Sequence, residues 1–181
     1  MINITITHQT IYKLDVPFVG YMTIPDSIDY IKRVTSCGIC SVSMILKYLN
    51  KPHDIGELIT EGNISGGFTE NGWSHEYFIG LFKRNNIEAQ RIENLGFTKG
   101  LDLIKESILA QKPLIISMQK FSFDRILFHM VVVNGFIENE EKEIVGLLYL
   151  DPGEYNEKSD YTRIVSKESF LASWRKMAIF L

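Results

Sequence analysis

The two cysteines of the chain, Cys37 and Cys40, lie three positions apart at the predicted start of a helix. From Cys37 onward, apolar residues recur at three- and four-residue steps, which predicts a helix with one apolar face. The unpaired N–H groups and the dipole at a helix N-terminus favour an anion and lower the pKa of a thiol placed there. Cys37 is therefore a candidate nucleophile, whereas Cys40, one turn later beside the apolar face, suits a small buried thiol.

The same C-x-x-C spacing is compatible with a redox dithiol, with half of a zinc site, and with two thiols that do no chemistry. A thioredoxin-like dithiol directly follows an apolar strand, but the preceding segment, DSIDYIKRVTS, is not typical of a buried strand. A zinc site needs two further ligands at a recognisable spacing, and the sequence has no second C-x-x-C and no H-x-x-x-H. The pattern favours a nucleophile over these three alternatives.

A nucleophilic cysteine needs a base and a group that orients the base. His129 begins the apolar segment HMVVVNGF, which predicts a buried strand, and Asp151 ends the segment GLLYLD. Each has a purely structural explanation, because a core histidine can bond a backbone carbonyl and Asp-Pro-Gly is favourable turn chemistry. In combination, a helix cysteine, a strand histidine and a strand-ending aspartate make a workable triad. Adjacent antiparallel strands would place His129 and Asp151 side by side.

The elements that must position these residues change in character along the chain. Helical periodicity predominates in the first half, where Ser74 is predicted to cap a helix that ends near Lys83. A long loop is predicted from Val19 to Ser36, and apolar β-branched segments in the second half predict strands. The sequence therefore predicts an α+β fold over residues 1–181, a single domain in which a helical N-terminal half packs on a mostly antiparallel C-terminal sheet.

Composition narrows the classes of function. The chain has 181 residues, of which 45% are hydrophobic and 23% charged, so it can bury a core without disulfides. Its net charge is −3 with the signs interspersed, which gives no electrostatic footprint for a nucleic-acid partner. No apolar stretch approaches the ~18 residues of a membrane span, and no signal peptide is recognised. We therefore expect a cytoplasmic protein with free thiols and no membrane span.

Several segments together resemble a known family. CGICSVSMILKYL resembles the nucleophile helix of the papain-like cysteine peptidases that cut bacteriocin leaders after a double glycine, and most closely that of their stand-alone relatives. LDVPF resembles the N-terminal strand of those relatives, and NGWSHEYFIGLFKRNNIEA resembles a helix after their G-W-x-H element. KPLIISMQ, HMVVVNGF, LYLDPG and FLASWRKMAIFL resemble the remaining strands and the terminal helix–strand pair.

This resemblance implies a papain-like fold with a Cys37–His129–Asp151 triad, a peptide or amide substrate, and no metal or cofactor. Cys37 would attack an acyl carbon, and His129 would take the thiol proton and return it to the leaving group. Asp151 would hold the imidazole tautomer. His75 and Trp73 are further candidates for the wall of the substrate cleft. Gly38 would let another part of the backbone approach the nucleophile closely.

One position departs from the family. Its members usually carry a glutamine shortly after the V-P element as an oxyanion-hole donor, and the position in register here is Tyr21. Counting six residues back from Cys37 gives Ile31 instead. Losing one oxyanion donor costs ~10²–10³ in rate, and a phenol could donate in its place. The sequence thus leaves open a peptidase or amidase, an acyltransferase on the same fold, and a weak or inactive module that binds a peptide or a partner.

Overall fold

The computed structural model describes residues 1–6, 8–70, 72–121, 126–154 and 160–181, with only the backbone of residues 2–6, 120–121 and 126–127. In chain order its elements are β1 (Ile2–Ile6), β2 (Gln9–Lys13), α1 (Tyr30–Val34), α2 (Cys37–Tyr48), α3 (Ile55–Ile64), β3 (Phe68–Thr69), β4 (Gly72–Trp73), α4 (His75–Arg84), β5 (Gln90–Ile92), α5 (Phe97–Leu109), β6 (Leu114–Phe121), β7 (Ile126–Glu138), β8 (Ile144–Leu150), β9 (Thr162–Ser166), α6 (Lys167–Ser173) and β10 (Trp174–Phe180).

An antiparallel sheet of eight described strands forms the C-terminal half of the fold. Its main path runs β1-β2-β7-β6-β10-β5, and β8 lies between β7 and β9. In the described ranges, β7 is the strand that pairs with three others, namely β2, β6 and β8. The predicted α+β class and mostly antiparallel sheet are confirmed, although β1, β2 and β5 join this sheet from the helical half.

Helix α2 is the central helix of the fold and packs against β7. Every residue from Gly38 to Leu46 is buried, so the helix is covered on more than its one predicted apolar face. Its start at Cys37 is where the sequence pattern predicts it. Because a buried helix is fixed by contacts on several sides, the first turn of α2 is held firmly against the sheet.

The predicted helix cap at Ser74 is present, since the Ser74 hydroxyl accepts a hydrogen bond from the Tyr77 N–H. Helix α4 then runs from His75 to Arg84, one residue beyond the predicted end. The glycine-rich segment before it contains the two-residue strands β3 and β4, which pair with each other. No helix in the described ranges combines the length and the hydropathy needed to cross a membrane.

The prediction of a long loop from Val19 to Ser36 is wrong in part. A single 3-10 turn covers Tyr21–Thr23 and the short helix α1 covers Tyr30–Val34. The Asp29 side chain caps α1 by accepting a hydrogen bond from the Lys32 N–H. Side-chain capping stabilises this short helix although it buries no residue, so hydrophobic periodicity alone could not reveal it.

Gly135 in β7 provides a test of how closely the strands pack. A Cβ atom at Gly135 would lie 2.2 Å from the carbonyl oxygen of Tyr12 on β2, and neither backbone can yield easily. We expect Gly135→Ala to lower the free energy of unfolding by about 1–3 kcal/mol through overpacking, measured by urea denaturation.

Gly80→Ala is the matched control. Gly80 lies within α4, and a Cβ there would meet no atom within 4 Å. Alanine is favoured over glycine in a helix by about 0.5–1 kcal/mol, so this variant should be as stable as the parent or more stable. Equal stability of the two variants would contradict the packing described here.

Candidate active site

Cys37 is the first residue of α2 and is half-buried. The preceding Ser36 is fully buried, and its hydroxyl bonds back to the Lys32 carbonyl at 2.5 Å instead of capping the helix. The Ser36 hydroxyl therefore does not compete for the N–H groups of the first turn. These groups have no partner within the helix, and they create a positive local field around the Cys37 sulfur and any anion beside it.

His129 and Asp151 come from adjacent antiparallel strands. In the β7–β8 pairing Val132 lies opposite Leu150, so His129 and Asp151 fall at the same end of the strand pair. Nε2 of His129 lies 2.5 Å from Oδ1 of Asp151. The two side chains are in contact, as the antiparallel arrangement predicts. Nδ1 is the ring nitrogen that remains for Cys37, whose side chain also hydrogen-bonds to His129.

Asp151 also organises the turn after β8. Its backbone carbonyl accepts the Glu154 N–H at 3.1 Å, and Oδ1 accepts the Gly153 N–H at 2.8 Å. Nη1 of Arg163 lies 3.9 Å from Oδ2, while Nη2 of the same residue binds Glu154 at 2.7 Å. The Asp151 carboxylate therefore both stabilises the turn and contacts His129. The Gly153 N–H, the Arg163 guanidinium and the His129 ring together hold it in place.

The protonation equilibria favour an ion pair between Cys37 and His129. Burial acts to raise the pKa of the Cys37 thiol, but the hydrogen bond and positive charge of His129 outweigh it. The backbone N–H groups of Met130 and Gly38 add to this effect, and the pKa falls below its ordinary value. Burial acts to lower the pKa of His129, yet hydrogen bonds to Asp151 and Cys37 raise it to about 9. Both shifts favour a thiolate beside an imidazolium over the neutral pair.

The same shifts link the site to stability. The pKa of His129 is raised in the fold, so its contribution to stability is fully present below about 6.5 and is lost as pH rises through about 9. Burial opposes ionisation of Asp151, but the hydrogen bond and charge of His129 lower its pKa to about 2. The contribution of Asp151 is therefore present above its ordinary pKa of 3.8 and is lost as pH falls through about 2.

Cys40 lies one turn further along α2 and is fully buried. Burial, followed by the nearby negative charge of Cys37, raises the pKa of its thiol well above the ordinary value. Both cysteines are free thiols. Within the described ranges, no group of three or more His, Cys, Asp or Glu side chains is arranged to hold a metal ion. The pKa values of the two thiols are therefore shifted in opposite directions despite their close spacing.

A cleft of about 400 Å³ opens beside Cys37 and His129. The predicted wall residues Trp73 and His75 line it, and so do Gly38 and Tyr21. Sequence reasoning did not identify the other side chains of the wall, which have no motif of their own. They are Val34, Thr35, Phe78, Ser117, Phe128, Met130 and Arg175, together with Gly72.

Gly38 is required for packing under the nucleophile. A Cβ atom at Gly38 would lie 2.1 Å from Cζ of Phe78, whose ring is buried in the core beneath the cleft. The close neighbour is therefore an aromatic ring of α4, whereas the sequence interpretation expected another backbone segment. The absence of a side chain at Gly38 lets α4 pack directly against the first turn of α2.

Tyr21, one of the two positions in register with the expected glutamine, lies in the cleft wall, whereas Ile31, the other, is exposed on α1. The Tyr21 ring is buried and meets the His129 ring edge-on, with 6.4 Å between centroids. Its backbone N–H donates to the Pro152 carbonyl, which ties this loop to the turn that carries Asp151. No asparagine or glutamine lines the described part of the cleft.

The family of the chain follows from comparison with known proteins. The model of the Peptidase_C39 like family matches residues 13–179. The chain belongs to the Peptidase_C39 like family. This membership confirms the resemblance to the bacteriocin-processing cysteine peptidases. No curated protein sequence matches the chain significantly.

Three solved structures share the fold. The double-glycine motif protease of an AMS/PCAT transporter, in complex with its leader peptide, is 16% identical, with a TM-score of 0.59 over 92% of this chain and 91% of its own. The peptidase domain of Streptococcus ComA is 22% identical, with a TM-score of 0.59 over 93% and 96%. UfSP from C. elegans is 18% identical, with a TM-score of 0.58 over 94% of this chain and 34% of its own. The papain-like fold is confirmed.

Replacing Asp151 tests the electrostatics of the site. In Asp151→Asn the imidazole loses the charge that favours its protonation, and burial still opposes it. We expect the pKa of His129 to fall from about 9 toward its ordinary value, measured by NMR titration of the labelled imidazole.

Asp160→Asn is the matched control for this titration. Asp160 also has a pKa lowered to about 2, through its hydrogen bond to Lys13, but it does not contact His129. This control should leave the titration of His129 unchanged. A His129 pKa that is the same in Asp151→Asn as in the parent would overturn the electrostatic account.

Proposed function

We propose that the chain is a cysteine peptidase or amidase that acts through Cys37, His129 and Asp151 and forms a thioester acyl-enzyme. The observation that carries this proposal is the position of His129, whose ring bonds Asp151 on one side and Cys37 on the other. The chain also belongs to a family of papain-like peptidases, and the resemblance to that family assigns the triad to the same three positions. One contiguous core of buried residues further supports a single catalytic domain over residues 1–181.

In the first half of the reaction, the Cys37 thiolate attacks the carbonyl carbon of the scissile amide. The C–N bond breaks as the His129 imidazolium donates its proton to the leaving amine, which leaves a thioester on Cys37. In the second half, neutral His129 takes a proton from water, and the water oxygen attacks the thioester carbon. Cys37 leaves as a thiolate, the product acid departs and the ion pair is restored. Asp151 remains ionised throughout and fixes the ring orientation.

The developing oxyanion needs hydrogen-bond donors beside Cys37. The first turn of α2 offers the backbone N–H of Cys37, which has no partner within the helix. The second donor that we propose is the phenol of Tyr21, because its ring lies in the cleft wall against His129. Tyr21 would then replace the glutamine that is usual in the family.

The substrate that we propose is a peptide. One relative of the same fold has been solved with a leader peptide bound, and another is a peptidase domain. The described cleft is lined mostly by aromatic and small residues, including Trp73 and His75, which suits contacts along a peptide chain. We assign both residues to the substrate wall.

A peptide-binding module without catalysis is the second candidate function. The observation that favours it is that neither Gln nor Asn lines the described cleft, so the expected amide donor is missing. This candidate predicts peptide binding without any covalent adduct on Cys37. An adduct formed with a peptide electrophile would exclude it.

Substitution of each cysteine separates the nucleophile from its neighbour. Cys37→Ala should abolish hydrolysis and acyl-enzyme formation, whereas Cys40→Ala should retain most of the activity because its thiol is buried and protonated. The measurement is intact-mass detection of the adduct with a peptide vinyl sulfone, together with peptide hydrolysis. Equal loss in both variants would instead indicate a dithiol mechanism.

Tyr21→Phe tests the proposed oxyanion donor. Removal of the hydroxyl should lower kcat by ~10²–10³ with little change in KM, because the hydrogen bond forms only as charge develops on the oxygen. Thermal unfolding at the parent temperature would show that the ring still packs. A kcat equal to that of the parent would exclude Tyr21 as a donor.

A further inference from the structure

Arg175 reaches the cleft from a strand that the triad does not use. It is the second residue of β10, directly after Trp174. Trp174 pairs with Met118 on β6, and Met118 pairs with His129 on β7. This register brings Arg175 to the same end of the sheet as the base, where it lines the same cleft as Cys37.

The guanidinium of Arg175 is held over an aromatic ring. Its central carbon lies 4.6 Å from the centroid of Phe128, the residue directly before His129. Phe128 is 52% exposed and Arg175 is also exposed, so both are accessible to a ligand in the cleft. A guanidinium stacked on a ring keeps its N–H donors at the edge free for other partners. The contact therefore fixes the position of Arg175 without satisfying its hydrogen-bond donors.

The charge of Arg175 has no carboxylate partner among the described residues, whereas nearby arginines do. Arg91 forms ion pairs with Glu76 and Glu93, and Arg163 pairs with Glu154. No Asp or Glu lines the described cleft. His75 cannot compensate the charge either, because an imidazole is either neutral or positive, and burial and then the charges of Arg91 and Arg175 lower its pKa.

We propose that Arg175 is a specificity residue that binds a carboxylate of the peptide substrate close to the scissile bond. This assignment rests on the proposed peptidase function. A guanidinium fork matches a carboxylate in a bidentate geometry, and the stacking on Phe128 reduces the entropy lost on binding. The carboxylate comes either from a Glu or Asp side chain or from the free C-terminus of a short peptide. Both supply the negative charge that the described cleft lacks.

A paired peptide library tests the assignment without a known substrate. The probes are capped octapeptides in which each Glu-containing member has a Gln counterpart and a Lys counterpart, plus a set with a free C-terminal carboxylate. Cleavage is followed by mass spectrometry. The parent should cleave Glu members about tenfold faster than Gln members at one subsite, or prefer the free C-terminus, and these two results distinguish the sources of the carboxylate.

Variants at Arg175 should change this preference. Arg175→Gln should lower the ratio of Glu to Gln cleavage from about tenfold to about one, and Arg175→Glu should shift the preference toward Lys. Lys176→Gln is the matched control, because Lys176 is the next residue of β10 and its ammonium instead lies over Phe97, 4.5 Å from the ring centroid. It removes the same charge but should keep the Glu preference.

The outcomes separate the two proposals. Equal cleavage of Glu and Gln members by the parent, or a uniform loss across all pairs in Arg175→Gln, overturns the specificity role while the peptidase proposal stands.

Absence of any cleavage counts against the peptidase proposal. In that case retention of library peptides on immobilised Cys37→Ala protein decides the role of Arg175. Enrichment of carboxylate peptides that is lost in the Cys37→Ala/Arg175→Gln double variant supports it, and no enrichment overturns it.

Discussion

The contact between His129 and Asp151 is the constraint on which the rest of the site depends. It requires β7 and β8 to pair with Val132 opposite Leu150, since a slip of one residue at this end would turn one of the two side chains to the other face of the sheet. The same register places the turn at Pro152, whose carbonyl anchors the Tyr21 loop. A single strand pairing thus fixes the base, the group that orients it and one wall of the cleft.

The nucleophile is fixed by a separate part of the fold. Helix α2 is buried against β7, and Phe78 of α4 occupies the space that a side chain at Gly38 would need. The two halves of the chain therefore meet at the Cys37–His129 contact, where burial disfavours the separated charges and the hydrogen bonds favour the pair. The Cys37–His129 ion pair depends on packing on both sides of this contact. A shift of either element would weaken the hydrogen bonds that offset the cost of burying the two charges.

The sequence was sufficient to predict elements whose residues carry a local signal. The start of α2, the cap at Ser74 and the apolar strands all follow from periodicity or capping chemistry. They bring Cys37 and His129 to one cleft, with Asp151 in contact with His129. Helix α1 was missed because it buries no residue. Arg163, Phe128 and Arg175 were missed for another reason. Their neighbours come from distant strands, and no local pattern encodes which side chains meet across a sheet.

The most direct test of this account is the pH dependence of alkylation, with each modified cysteine identified by peptide mapping, in the parent and in His129→Ala. If Cys37 and His129 form an ion pair, Cys37 reacts rapidly below pH ~7, Cys40 reacts slowly, and His129→Ala moves the Cys37 titration up to or beyond the ordinary thiol value of ~8.5. A Cys37 that titrates as an ordinary thiol in both proteins would contradict the ion pair, and with it the proposed triad.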